Sequence, residues 1–264
     1  MSKELNCAPS KDNINGSCYS YQDLRYLANS INKYHNQNIK TNNDYDDLYK
    51  NIKYYLKGYA NEMDWLNIPD LNINHQIKNN IFRPKGPKKN KKWLSTYDIN
   101  KVMFQYENKY KDFKFLGAWP SDFMEIEKDF TNMKFINKYN NKKIFGIIFN
   151  NDKSYQSGSH WVSLYIDLRE KIKIYFFDSV GKPPNILIGA FIKSLLKYFN
   201  ISNKDNDKCI LRYNTIQHQT KNTECGVYSM NFIIRLLNGK KYNDIVKNIT
   251  KDQDMFKCRA VYFN

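Results

Sequence analysis

The sequence predicts an α+β protein, in which a small mixed β-sheet flanked by helices follows a helical N-terminal arm. Three observations carry that prediction. The first eighty or so residues hold apolar stripes at helical spacing. Three short strand-like segments then come in close order, at 144–149, 160–166 and 173–177. Two long apolar helical stretches follow, one after Pro183-Pro184 and one after Cys225.

In the arm, Ser20 is placed to cap a helix with Asp23 in the capping-box position, and Leu24, Leu27, Ala28, Ile31 and Tyr34 keep one apolar face. A second helix is expected from Asp44, with Tyr45, Leu48, Tyr49, Ile52, Tyr55 and Leu56 on one stripe and Gly58 as its stop. The segment 83–92 then carries six positive charges and no acid, and its Pro/Gly/Lys composition reads as a linker.

From Trp93 the pattern becomes mixed. Ser95 or Thr96 starts a helix carrying Ile99, Val102, Met103 and Tyr106 on one face, and a short strand over 113–116 ends at Gly117. Residues 150–159 are polar enough for a loop, and 167–171 is short enough to pair the second and third strand segments as a hairpin. Beyond Pro183-Pro184, Ile188, Phe191, Ile192, Leu195 and Phe199 face inward. One more strand over 209–213, the Cys225 helix and a last helix near 242–249 complete the reading.

The chain has 264 residues, 41% of them apolar, which suffices to bury a sizeable core in one or two domains. No stretch approaches the ~20 apolar residues of a membrane span, and the N-terminus lacks the apolar core of a signal peptide, so a soluble, intracellular protein without membrane contact is expected. The five cysteines, at 7, 18, 209, 225 and 258, are odd in number and show neither C-x-x-C spacing nor a cluster with the four histidines. That pattern argues against a disulfide framework and against a zinc site, leaving free thiols, no metal and no cofactor as the expectation. The net charge of +16, from 42 basic against 26 acidic residues, favours polyanion contact, most concentrated as a DNA contact through the basic linker 83–92. The plainer reading of those lysines is a solvated linker in a chain whose abundant Asn, Lys, Ile and Tyr share AT-rich codons.

Chemistry concentrates around Cys225. It stands six residues after Gln219, precedes Gly226 and opens the apolar stretch to Leu237. A free thiol has a pKa of about 8.5, so a nucleophilic cysteine needs a device that stabilises the thiolate. Thr223 as helix N-cap would put Cys225 in the first turn, where unpaired backbone N–H groups favour negative charge. His160 can serve as general base and imidazolium partner. It begins one strand, and Asp178 ends the next, so a hairpin brings both to one edge of the sheet, where the carboxylate orients the ring. Gln219 can add a side-chain N–H to the backbone N–H of Cys225 as an oxyanion hole. Singly, each residue has a structural reading: a buried Cys, a strand-end Asp, a His beside Trp161. Their joint order makes the case for a cysteine protease.

At these positions the chain resembles a known superfamily. Gly158-Ser159-His160-Trp161, Tyr175-Phe176-Phe177-Asp178-Ser179 and Gln219-x5-Cys225-Gly226 are similar to the His-Trp, Asp-Ser and Gln-x5-Cys-Gly motifs of the SUMO-protease and adenain cysteine peptidases. Trp93-Leu94 resembles the Trp-Leu segment that opens their catalytic domain, although Asp98 lies two residues later than in the cellular SUMO proteases. The resemblance covers residues 91–264 and implies a catalytic domain there, after an accessory arm and linker over 1–90. It implies Cys225, His160 and Asp178 as triad, Gln219 as oxyanion donor, and Trp161 and Trp93 as walls of a tunnel that admits only Gly-Gly.

Within the superfamily the chain looks most similar to the viral polyprotein-processing branch, that of the African swine fever virus protease. The short catalytic domain, the helical arm, the altered Trp-Leu segment, the Asn/Lys-rich composition and the run 115–123 carry that likeness. It implies a thiol endopeptidase that cleaves capsid or core precursors after diglycine during virion maturation, in the virion and the cytoplasmic viral factory. A deconjugase for SUMO or ubiquitin-like modifiers is the alternative with the same chemistry. A basic DNA-binding scaffold with an inactive site is the alternative from another class.

Overall fold

A computed structural model describes residues 6–11, 16–201 and 208–264. The chain forms two compact units, residues 1–85 with Asn264 and residues 86–263. The boundary falls inside the segment expected as linker.

In the first unit, helix α1 spans Tyr21–His35 and starts as a capping box: the Asp23 N–H donates to the Ser20 hydroxyl, and the Asp23 carboxylate accepts from the Ser20 N–H. Leu24, Leu27, Ala28 and Ile31 are buried, whereas Tyr34, expected on the same face, is exposed. Helix α2, Tyr45–Tyr55, is capped by Asp44 and ends at Leu56, two residues before the expected stop at Gly58. Gly58 has no left-handed backbone, because the Leu56 N–H already closes the last turn onto the Ile52 carbonyl. Two short 3-10 turns at 64–67 and 69–71 and helix α3, His75–Ile81, complete the unit. Its core joins Leu24, Leu27 and Ile31 to Leu48, Ile52, Trp65 and Leu71.

The expectation of five free thiols needs correction here. Cys7 and Cys18 form a disulfide, with Cα atoms 5.1 Å apart. Cys7 is brought into place by an antiparallel bridge to Phe82, a long-range pairing that cysteine spacing does not encode. Cys209, Cys225 and Cys258 are free.

In the second unit, Ser95 and Asp98 form another capping box at the start of helix α4, Thr96–Lys109. Strand β1, Phe113–Trp119, continues past the expected end at Gly117 through an irregularity in pairing between Phe115 and Ala118. Gly117 has φ +109°, and a Cβ there would stand 2.6 Å from the Trp119 indole nitrogen, so the bend requires glycine. Helices α5, Phe123–Ile126, and α6, Lys134–Lys138, lead to strands β2, Ile144–Asn150, β3, Trp161–Asp167, and β4, Ile172–Phe177. Helix α7, Ile186–Tyr198, strand β5, Cys209–Tyr213, and helices α8, Cys225–Leu237, α9, Tyr242–Lys247, and α10, Asp252–Tyr262, follow.

The sheet runs β1-β2-β3-β4-β5, with a parallel pair at each edge and antiparallel hairpins between. Helices cover both faces, which is why the central strands are apolar throughout rather than alternating. Ile144, Ile148, Tyr165, Tyr175 and Phe177 pack with α4, α8 and α10 on one face. Phe145, Ile147, Phe149, Leu164, Ile174 and Phe176 pack with α7 on the other. The open edge of β1 is occupied by α4 side chains: the Phe115 N–H donates to Glu107 and the Ala118 N–H to Asn100. Among the described residues no helix is long and apolar enough to cross a membrane.

Candidate active site

The hairpin register sets the first two residues of the site. Ser163 on β3 pairs with Phe177 on β4, so Asp178, just past β4, meets the end of the sheet at which the chain enters β3 through His160. The Asp167 carboxylate holds the intervening turn through two bonds from the Arg169 side chain and one from its N–H. At the functional end, His160 Nε2 lies 2.6 Å from Asp178 Oδ1. Cys225 is the other side chain that acts on the ring and favours its protonated form.

Burial disfavours the charged imidazolium of His160, but the hydrogen bond it donates to Asp178 and the influence of Cys225 outweigh this and lift the pKa to about 9. His160 is therefore cationic at neutral pH. His218, also close by, is held differently. It contacts the Val246 carbonyl oxygen at 3.0 Å and accepts from the Thr250 N–H at 3.3 Å, and burial depresses its pKa, so it stays neutral.

Asp178 is 1% exposed and is fixed on both sides. Its N–H donates to Asn214 Oδ1 at 2.8 Å, its carbonyl accepts from Asn214 Nδ2 at 2.7 Å, and its carboxylate accepts from the Val180 N–H at 2.9 Å. No motif marks Asn214, which reaches the site from the loop after β5. Ser179 has a comparable task. Its hydroxyl donates to Gln219 Oε1 at 2.6 Å, and its carbonyl accepts the His218 and Gln219 N–H groups. With the oxygen so engaged, the Gln219 amide turns its NH2 toward the Lys221 carbonyl, which accepts one N–H and leaves the other.

Cys225 is buried and occupies the first position of α8. The expected N-cap Thr223 is not the cap: that position is Glu224, which makes no side-chain cap bond. Thr223 instead donates its hydroxyl to Glu224, because the loop turns one residue later than the Ser/Thr preference suggests. The consequence for Cys225 is a closer approach to the helix terminus, where its N–H has no intrahelical partner.

Trp161 is buried and its indole N–H donates to the Leu94 carbonyl at 2.9 Å. The two pack so closely over the start of α8 that a Cβ on Gly226 would lie 3.2 Å from Leu94 and 3.3 Å from Trp161. Trp93 is 45% exposed and stands at the rim. Two grooves are lined by these residues and their neighbours. One, of about 860 Å3, is lined by Trp93, Trp161, Phe104, Leu116 and Trp119. The other, of about 510 Å3, is polar and lined by His160, Gln219, Lys91 and Lys221. The structure thus brings His160, Asp178, Cys225 and Gln219 to one place, with Trp161 and Trp93 beside them. Trp119 is a groove wall that the sequence reading left beyond the end of a strand at Gly117, whereas β1 runs through the bend and carries it.

Residues 64–263 match the Ulp1 protease family, C-terminal catalytic domain. R355 of Acanthamoeba polyphaga mimivirus, a chain assigned as a thiol protease, is 33% identical over 97% of this chain and 92% of its own length. SUMO-1 cysteine protease S273R of African swine fever virus is 26% identical over 69% of this chain and 71% of its own. The crystal structure of the African swine fever virus pS273R protease superposes with a TM-score of 0.66 at 22% identity, over 100% of this chain and 97% of that one, and shares the α+β fold. The chain is a cysteine protease of the Ulp1 family.

Proposed function

We propose that this protein is an endopeptidase that cleaves after Gly-Gly in capsid or core precursors of a large DNA virus during virion maturation. The observation that carries the reading is His160 bonded to the buried Asp178 carboxylate on the wall of a groove, with Cys225 acting on the same ring. The aromatic groove takes the segment before the scissile bond, where Trp93 and Trp161 favour residues without a Cβ. The imidazolium keeps Cys225 as thiolate, and the sulfur attacks the glycine carbonyl. The developing oxyanion accepts hydrogen bonds from the Cys225 N–H and the free Gln219 N–H. His160 then gives its proton to the leaving amine, a thioester forms, and a water activated by the now neutral imidazole hydrolyses it.

In this reading residues 91–264 are the catalytic domain, and the segment before them is an accessory arm ending in a basic stretch that contacts DNA in the viral factory and virion. The test incubates diglycine-containing precursor fragments of the source virus with wild type and Cys225→Ala. Cleavage by the wild type alone supports the proposal; equal cleavage by both, or none by either, overturns it. A second reading, removal of SUMO-like modifiers, is favoured by the name of the African swine fever virus relative. A vinyl-sulfone warhead on SUMO-1 that labels Cys225 faster than the precursor is cut would favour that one.

A further inference from the structure

Arg259 on α10 is completely buried. A guanidinium in that setting needs its donors answered. Its Nε donates to Glu224 Oε2 at 2.7 Å, its Nη1 to the Pro87 carbonyl at 3.1 Å, and its Nη2 to the carbonyls of Lys92 at 2.9 Å and Thr223 at 3.2 Å. One side chain therefore joins α10, the residue before Cys225, and both ends of the basic turn that delivers Trp93 and Leu94. Leu94 in turn receives the Trp161 indole and presses on Gly226.

The ion pair stands where charge matters. Glu224 occupies the N-cap of α8 but makes no cap bond, because its carboxylate is turned onto Arg259, with the Thr223 hydroxyl on its other oxygen. An ionised, unpaired carboxylate next to Cys225 would oppose the thiolate. Charged or titratable groups on the neighbouring elements include His160 and Asp178 at the strand ends, Tyr228 and Arg235 on α8, Asp252, Asp254, Lys257, Cys258 and Tyr262 on α10, and Lys91 and Lys221 in the polar groove; Glu224, Asp254 and Arg235 act on the Cys258 thiol. Asp252 is taken up by the N–H groups of Thr220 and Lys221.

We propose that Arg259 is a positioning residue of the active site: it cancels the charge of Glu224, the residue before Cys225, and ties the Trp93–Leu94 wall to the nucleophile's helix. The inference rests on the reading of Cys225 as nucleophile, and its test needs no substrate. The rate of alkylation of Cys225 by iodoacetamide is followed from pH 5 to 10, with Cys225→Ser as the control that subtracts Cys209 and Cys258. In Arg259→Met the uncompensated carboxylate shifts the pH profile upward and slows alkylation at pH 7 by about tenfold. In Glu224→Gln the profile shifts the other way. In the double variant, which leaves no unpaired buried charge, the profile returns to within about threefold of wild type.

A merely structural arginine would lower reactivity at every pH, and Glu224→Gln would not restore it; that result, or an unmoved profile in both single variants, overturns the proposal. Circular dichroism checks each fold, and if Arg259→Met does not fold, Glu224→Gln and the double variant carry the test. Arg259→Lys keeps the charge but loses the forked grip on the carbonyls. It should alkylate as wild type while KM for a diglycine peptide rises, and equal loss of both overturns the wall-holding part. A full alkylation pattern with no peptide cleavage by any variant would count against the proteolytic reading and leave the charge role standing.

Discussion

Both units of this chain hold a carboxylate among hydroxyl or imidazole partners, half-buried in one and buried in the other, and only the second has the makings of an active site. In the first unit Glu62 accepts from the Ser17 hydroxyl at 2.9 Å and the Tyr49 hydroxyl at 2.6 Å, while its backbone carbonyl accepts from Tyr19. Burial and the neighbouring Glu62 push the Tyr49 phenol well above its usual range, so it stays protonated and the cluster is closed. In the second unit the Asp178 carboxylate holds His160 equally firmly, but Cys225 also acts on the ring, which opens onto a groove. Polar burial alone therefore says little about function. What separates the two is a reactive atom left over after the structural bonds are made, placed where a substrate can reach it.

The comparison breaks most sharply on deletion of the leftover atoms. Cys225→Ala and His160→Ala should each lower kcat/KM on a diglycine peptide by at least about a thousandfold. Glu62→Gln, which disturbs the closed cluster, should soften the first unit in a thermal melt and leave kcat/KM unchanged. Next in size is Gln219→Ala, which should reduce kcat by about a hundredfold to a thousandfold with little change in KM, because the amide acts on charge that develops in the transition state.

A smaller effect follows from pH. The His160 pKa rises from an unfolded value near 6.5 to about 9 in the folded protein. The stability contributed by this group is complete below pH 6.5 and is lost as pH rises through about 9. A urea titration series should show the decline across that window in wild type. In Cys225→Ala, which lacks one of the two groups that retain the proton, the His160 imidazole resonance should titrate at lower pH. The smallest effect on activity belongs to Cys7→Ser. It should destabilise the first unit by about 2–4 kcal/mol and leave kcat on a short peptide unaltered.

Local chemistry was legible. Ser20 with Asp23 and Ser95 with Asp98 announce their helices through capping boxes, and the latter gives the displaced aspartate of the Trp-Leu segment a plain role as a cap. The edge at which His160 meets Asp178 followed from hairpin arithmetic alone. What the sequence hid was convergence over distance. Asn214 reaches Asp178 across thirty-six positions, Arg259 reaches Glu224 across thirty-five, and Cys7 meets Cys18 only because Phe82 bridges to it. The N-cap was missed by one residue because intrinsic preference favours Thr223, whereas the guanidinium on α10 makes Glu224 the better tenant. Trp119 fell outside the expected strand because Gly117 read as its end, whereas the pairing resumes at Ala118 after an irregularity that alternation does not register.

The order of strands also bears on how the protein reaches its native state. β2, β3 and β4 are neighbours in sequence as well as in space, so they can zip together as hairpins on the timescale of local closure. β1 and β5 must each join that ribbon in parallel, at the end of a long excursion through helices. The hairpin that pairs His160 with Asp178 can then form early, while the sulfur arrives only when α8 docks across β3. A nascent chain would hold His160 against Asp178 before it brings up the Cys225 sulfur, and the candidate site would be complete only when folding is nearly so.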